Sequence, residues 1–138
     1  MGVVLDTSVA MKLFYREEDT DLAFNLMRIL IKKQEPIHAM DLMLYELGQG
    51  AINKRKDNAV FSRDYPLRMA QMNVQFHMPE PELLSAALTI STERDLTFYD
   101  SSHVALSEKM GFTLVTEDRK ILNNSDLSVS MKEALEKL

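Results

Sequence analysis

Four acidic residues occupy places where a carboxylate could do chemistry. Asp6 closes the short apolar run Val3-Val4-Leu5, and Glu46 lies inside a helical stretch. Asp100 follows Tyr99 at the head of another helix, and Asp118 sits two residues past the run Thr113-Leu114-Val115-Thr116. Carboxylate oxygens are hard donors, the kind that Mg2+ and Mn2+ prefer. Such an ion neutralises the negative oxygens of a phosphodiester and lowers the pKa of a water it binds, orienting it for in-line displacement. Converging carboxylates without histidine or cysteine partners suit that role, so Asp6, Glu46, Asp100 and Asp118 form the candidate catalytic and metal-binding set. Taken singly each has an ordinary reading: Asp6 or Asp100 as a helix cap, Glu46 as a surface helix residue, Asp118 as a turn former. It is their joint pattern that favours a site.

The elements that must position these acids follow from periodicity. Val3-Val4-Leu5 reads as a buried strand, and Ser8 is placed to cap a helix running to about Tyr15. A second helix is expected from about Thr20 to Lys33, with Lys32-Lys33 at the end that its dipole favours. Pro36 to Ala39 reads as a short strand, followed by a helix from about Asp41 to Lys54 that carries Glu46. Gly48 and Gly50 weaken that helix by roughly 1 kcal/mol each relative to alanine, which suggests close backbone packing. Residues 59–73 look helical, with a break expected at Pro66. Val74 to Met78 alternates as a strand, and Pro81 opens a further helix. The next helix is expected to start near Asp100 and stop at Gly111. Thr113 to Thr116 is a strand, and Leu127 to Ser130 reads as a last one. Ser130 and Glu133 then form a capping box for a terminal helix. Strands alternating with helices indicate an α/β fold with a mainly parallel central sheet, whose ligand site lies beyond the carboxyl ends of its strands. Asp6 and Asp118 would both stand on that rim.

Three segments together resemble the PIN-domain family, in particular its VapC-type toxin ribonucleases. They are Val-Val-Leu-Asp6-Thr7-Ser8, the helical Leu-Tyr45-Glu46-Leu, and Tyr99-Asp100 through Leu-Val-Thr116-Glu-Asp118-Arg119. The likeness covers nearly the whole chain in the right order. It implies one PIN-like domain over residues 1–138, built as an α/β/α sandwich, with the four acids as metal ligands. Ser8 and Thr116 match positions whose hydroxyls support the cluster. It further implies a metal-dependent endoribonuclease leaving 5′-phosphate and 3′-hydroxyl ends, working as a homodimer and held inactive by a small antitoxin protein. Arg119 is a candidate contact to substrate phosphate. Two positions depart from the family pattern: Gln49, where many relatives have asparagine, and His103, where they often carry an aromatic residue.

The remaining composition bounds the answer. The chain has 138 residues, 46% hydrophobic and 27% charged, which suits one globular domain. No apolar run approaches the roughly 18 residues of a membrane span. The first residues lack the basic stretch of a signal peptide, and Asp6 breaks the myristoylation pattern. Asn123-Asn124-Ser125 is expected to match a glycosylation sequon by chance. The absence of cysteine removes disulfides and thiolate chemistry and fits a cytoplasmic protein. A net charge of −5 argues at first against an RNA partner, but four clustered carboxylates supply most of it. Lys32-Lys33, Lys54-Arg55-Lys56 and Arg119-Lys120 remain as basic clusters.

His38, His77 and His103 show no zinc spacing. His103 lies one helical turn after Asp100 and is expected to pack, with site lining as its second role. Glu117 and Asp95 are expected to be solvated, and Met69, Met72 and Met78 to pack as core filler. Phe24 and Ile31 lie outside the main apolar stripe of the second helix and suggest a self-association face. Against the toxin stand a housekeeping RNA-processing nuclease of the same fold and a non-catalytic RNA-binding module. The acidic quartet disfavours the module, because bare carboxylates repel phosphate. A phosphoacceptor receiver domain needs an early acidic pair, and only Asp6 is present in the first motif.

Overall fold

Val3–Leu5 forms β1, three apolar residues buried on both faces, as a central parallel strand must be. The computed structural model describes residues 2–56 and 63–138, with side chains described through Lys54 and again from Arg63. Residues 59–62 of the helical expectation, and the side chains of Arg55 and Lys56 in the second basic cluster, lie outside the described residues.

After β1 come α1 (Thr7–Phe14), α2 (Thr20–Lys32), β2 (Ile37–Met40), α3 (Leu42–Lys56), α4 (Tyr65–Ala70) and β3 (Val74–His77). Then follow α5 (Pro81–Arg94), α6 (Phe98–Met110), β4 (Thr113–Val115), α7 (Arg119–Asn124), β5 (Ser128–Val129) and α8 (Met131–Lys137). The sheet order is β3-β2-β1-β4-β5, and every neighbouring pair is parallel. Alternate strand residues feed two cores. Val3, Leu5, Ile37, Ala39, Val115 and Val129 pack with α1, α2, α3, α4 and α8. Val4, Met40 and Leu114 face α5, α6 and α7. The result is an α/β/α sandwich. The chain steps outward from β1 in one direction to β2 and in the other to β4, so the crevice between β1 and β4 is the topological switch point, where open parallel sheets bind ligands.

Several local expectations are corrected. Asp6, not Ser8, caps α1, because Ser8 already lies in the first turn and its backbone N–H points at the Asp6 carboxylate. Pro66 opens α4 rather than breaking a helix, since its missing N–H costs nothing in a first turn. Helix α6 begins at Phe98, before Asp100, and is capped by Thr97, whose hydroxyl accepts from the Asp100 N–H. Gly111 ends it at φ 68°, a left-handed turn that glycine adopts without strain. Helix α7 was not expected at all. Met69 and Met72 pack in the core as expected, whereas Met78 is exposed. The two α3 glycines do mark close approach: a Cβ on Gly48 would lie 2.8 Å from the Tyr65 hydroxyl, and one on Gly50 would lie 2.4 Å from Met11. Among the described residues no helix is long and apolar enough to cross a membrane.

Candidate active site

The switch-point crevice is where the sheet delivers its acids. Asp6 leaves β1 with its N–H donating to the Val115 carbonyl of β4, so the two strand ends are tied together at the rim. Its carboxylate is only 4% exposed yet well solvated by protein groups. Oδ2 accepts from the Ser8 hydroxyl at 2.7 Å, the Thr116 hydroxyl at 2.8 Å and the Ser8 N–H at 3.4 Å. Each hydroxyl has one proton, committed to Asp6, and uses its oxygen to accept elsewhere. Thr116 Oγ1 accepts from the Asp118 N–H at 3.0 Å, and Ser8 Oγ accepts from the Glu117 N–H at 3.0 Å. Ser8 and Thr116 thereby lock the β4–α7 turn onto Asp6.

Asp118 caps α7, with Oδ1 accepting from the Ile121 N–H at 3.1 Å. That position turns its carboxylate back toward the rim. Glu46, on α3, accepts from the Thr7 hydroxyl at 2.6 Å and from His103 Nε2 at 3.1 Å. Burial pushes its carboxyl up, but the hydrogen bonds from His103 and Thr7 outweigh that and hold it below the ordinary range. Asp100, in the first turn of α6, behaves oppositely. Burial and then the charges of Asp6 and Asp118 push its carboxyl up, against smaller opposing effects of Thr97 and His103. Asp100 is therefore near enough to Asp6 and to Asp118 to feel the charge of each.

His103 has the role that the sequence ranked second. The ring is fully buried on α6, with Nε2 3.1 Å from Glu46 and 3.8 Å from Asp6 Oδ1. Nδ1 has no hydrogen-bond partner among the described residues, so in the neutral ring the proton belongs on Nε2, where an acceptor waits. Burial pulls the imidazole pKa down, but the bond to Glu46 and the charges of Asp6, Glu46 and Asp100 raise it overall. Glu117 also departs from expectation: its carboxylate is not idle in solvent but accepts from the Met131 N–H at 2.8 Å at the start of α8. Thr7, passed over in the sequence, anchors Glu46. Arg119 is exposed at the first position of α7, without an ion pair among the described residues.

Among the described residues no three acid or imidazole groups close on a single point as a ready-made cage for an ion. The donor chemistry nonetheless fits a hard divalent cation. Among the described residues the hydrogen bonds to Asp6 all fall on Oδ2, and the Asp100 carboxyl, raised by burial and then by the charges of Asp6 and Asp118, would be paired by a cation.

The PIN domain model matches residues 3–127, which span β1 to the end of the loop after α7 and include all four acids. The chain belongs to the PIN-domain family. Among its curated PIN relatives, Exonuclease VapC9 of Pyrobaculum aerophilum is 30% identical over 78% of this chain and 81% of its own length. Ribonuclease VapC3 of the same organism is 29% identical over 88% of this chain and 92% of its own. The family likeness is therefore to VapC-type PIN nucleases. Solved PIN folds agree. PAE2754 from Pyrobaculum aerophilum superposes with a TM-score of 0.72 at 22% identity, over 99% of this chain and 96% of that one. A toxin–antitoxin complex from Klebsiella pneumoniae includes a chain superposing with a TM-score of 0.69 at 15% identity, over 94% of this chain and 98% of that one.

Proposed function

We propose that the protein is a metal-dependent ribonuclease that hydrolyses RNA phosphodiesters, and that it serves as the toxin of a toxin–antitoxin pair. The observation that carries the reading is the gathering of Asp6 and Asp118 at the adjoining ends of β1 and β4, with Asp100 close enough to feel both charges and Glu46 hydrogen-bonded to His103 on the Asp100 helix. Repulsive, half-buried carboxylates are costly in a protein that never neutralises them, and Mg2+ or Mn2+ is the natural counter-charge. Asp6, Glu46, Asp100 and Asp118 would hold the ion, which supplies charge neutralisation and an activated water. Ser8 and Thr116 fix the Asp6 carboxylate through Oδ2 and leave Oδ1 for the ion. Thr7 and His103 hold Glu46 ionised. Arg119, exposed at the start of α7 next to Asp118, would meet a phosphate oxygen.

One relative, named a ribonuclease, lends the substrate class, and another, named an exonuclease, lends nuclease chemistry. The toxin role is supported by the fold shared with a chain of a toxin–antitoxin complex. On this reading the chain acts as one domain in the cytoplasm, partnered by a small antitoxin protein. It also self-associates: Phe24 and Ile31 on α2 are 44% and 50% exposed, more apolar surface than a solvated helix needs. The deciding experiment incubates the purified protein with structured and unstructured RNAs in Mg2+, Mn2+ or EDTA and maps the ends. Internal cuts with 5′-phosphate ends that vanish in EDTA are expected, and terminal trimming would instead favour an exonuclease. Equal cutting in EDTA, or full activity of Asp100→Asn, would overturn the metal mechanism. Expression should slow growth, with Asp6→Asn relieving it; equal harmlessness of both would favour a housekeeping nuclease.

A further inference from the structure

Beside the acids lies a second, chemically different hollow. It has a volume of about 280 Å3 and is walled by Leu42 and Tyr45 of α3, Leu84 of α5, and Phe98, Tyr99 and Ser102 of α6, with Asp41 at its edge. Two of these residues are chain neighbours of proposed metal ligands: Tyr45 precedes Glu46 and Tyr99 precedes Asp100. Met40, the last residue of β2, and Asp41 after it also line the hollow, so it opens at the carboxyl end of β2, the strand parallel to the one that Asp6 closes. Tyr45 is 79% exposed, Tyr99 58% and Phe98 36%. Exposed aromatic rings beside a charged site keep apolar surface in water, which a stacking ligand would bury. Phe98 and Tyr99 stand edge to face, with centroids 6.3 Å apart, which leaves their outer faces unstacked on each other.

The ligand class follows from the lining. Among the described residues no lysine or arginine lines the hollow, which disfavours a phosphate there. Its volume is just under the roughly 300 Å3 at which pockets for drug-sized ligands begin, which suits one flat ring system. Its one acidic lining residue among those described, Asp41, offers acceptor oxygens, and every nucleobase carries an N–H donor on its pairing edge. Single-stranded RNA is held by stacking splayed bases on aromatic side chains. We infer that this aromatic hollow is a nucleobase subsite, receiving one unpaired base next to the phosphate positioned at Asp6, Glu46, Asp100 and Asp118. The inference rests on the ribonuclease reading for its substrate and deepens it by locating the residues that hold one base beside the cut. A second copy of the chain or an apolar protein segment are the competing occupants.

The test uses the intact protein and short single-stranded oligoribonucleotides carrying 2-aminopurine, whose fluorescence falls on stacking, at each position in turn. Binding is read in EDTA and cleavage in Mn2+. One position adjoining the cut should be quenched by the wild type and not by Tyr99→Ala or Tyr45→Ala, with Tyr99→Phe restoring the quench. Loss of one stacked base corresponds to roughly a five- to hundredfold fall in kcat/KM. An abasic residue at that position should lower the wild-type kcat/KM to the level of Tyr99→Ala and lower that variant no further. Mn2+ affinity should not change. Cleavage that is indifferent to abasic residues at all positions, with no quench anywhere, would overturn the subsite and leave the nuclease standing. Tyr99-dependent quenching without cleavage in any metal would sink the nuclease and keep the base site. Variants that changed only the oligomeric state would assign the hollow to a protein interface and overturn the inference.

Discussion

His103 donates from Nε2 to Oε1 of Glu46 across 3.1 Å, a bond between α6 and α3 made inside the protein. It couples two titrations of opposite sign. The Glu46 carboxyl is held down, so its share of stability is present above the ordinary carboxylate pKa and is lost as pH falls through the lowered one. The His103 imidazole is held up, so its share is full below the ordinary imidazole value and is lost as pH rises through the raised one.

The first prediction follows directly. His103→Phe keeps the bulk and removes the donor, so the wild-type advantage in unfolding free energy should be bell-shaped in pH. Its top should lie between roughly pH 4.5 and 6.5, where both groups are charged in the native state. A charge-assisted hydrogen bond of this kind is worth about 1.5–3 kcal/mol, with the lower end apt for the half-exposed Glu46. Urea titrations from acid to alkaline pH measure the difference curve, and a flat one would show that the pair is not charged as described.

Asp100→Asn should stabilise the metal-free protein at neutral pH. A carboxyl raised by burial and by Asp6 and Asp118 favours the protonated folded form. Its contribution is therefore full below the ordinary aspartate pKa and is lost as pH rises through the raised one. The amide carries no charge to repel. Mn2+ should reverse the order, raising the wild-type Tm and moving the variant less. At ten times the dissociation constant the gain would be about 1.4 kcal/mol on mass action, or roughly 3–6 °C for a domain of this size. Identical melting of both proteins in EDTA, with identical gains in Mn2+, would remove Asp100 from the site.

Thr116→Val tests the lock on Asp6. Valine matches the shape but not the hydroxyl that donates to Asp6 and accepts from the Asp118 N–H. Because Thr116 is fully buried, water cannot take its place, and a loss of about 1–3 kcal/mol is expected. Thr116→Ser should recover most of it, and RNA cleavage should follow the same order. A stable, active Thr116→Val would mean that Asp6 needs no such support.

What the sequence made legible was what repeats or is punctuated. Val3-Val4-Leu5 before Asp6 and the Thr113–Val115 strand before Asp118 announced two strand ends, and the parallel sheet placed them side by side. Pro81 and Gly111 marked helix ends by backbone chemistry alone. Helix α7 escaped because six residues with Ile121 as their one buried side chain carry no periodicity, and its cap, Asp118, was read only as a turn former or ligand. Glu117 and His103 escaped for a different reason. Their partners, the Met131 N–H and Glu46, are 14 and 57 residues away, and no local spacing encodes a long-range hydrogen bond.

A last prediction concerns the β2–β3 edge of the sheet. His38 of β2 and His77 of β3 meet at 2.8 Å, Nδ1 to Nε2, so one ring must donate and the other accept. One proton in the contact lets one ring donate and the other accept, and protonating His38 as well adds a positive charge to a buried ring beside His77. Burial, and then the proximity of His77, pull the His38 pKa below its ordinary value. The sign is the reverse of His103: the stability contributed by His38 is full above the ordinary imidazole pKa and is lost as pH falls through the lowered one. The phenyl ring of Phe112, 5.3 Å from His38, offers no hydrogen-bond acceptor to offset the added charge. Wild type should therefore lose stability below about pH 6.5 relative to His38→Phe, once both are referred to their values at pH 8. His77→Phe should show a smaller loss than wild type, because burial remains while the neighbouring charge is gone. Tm measured every half unit from pH 8 to 5 separates these effects. If the three proteins ran parallel across that range, the His38–His77 contact would carry no proton-linked stability.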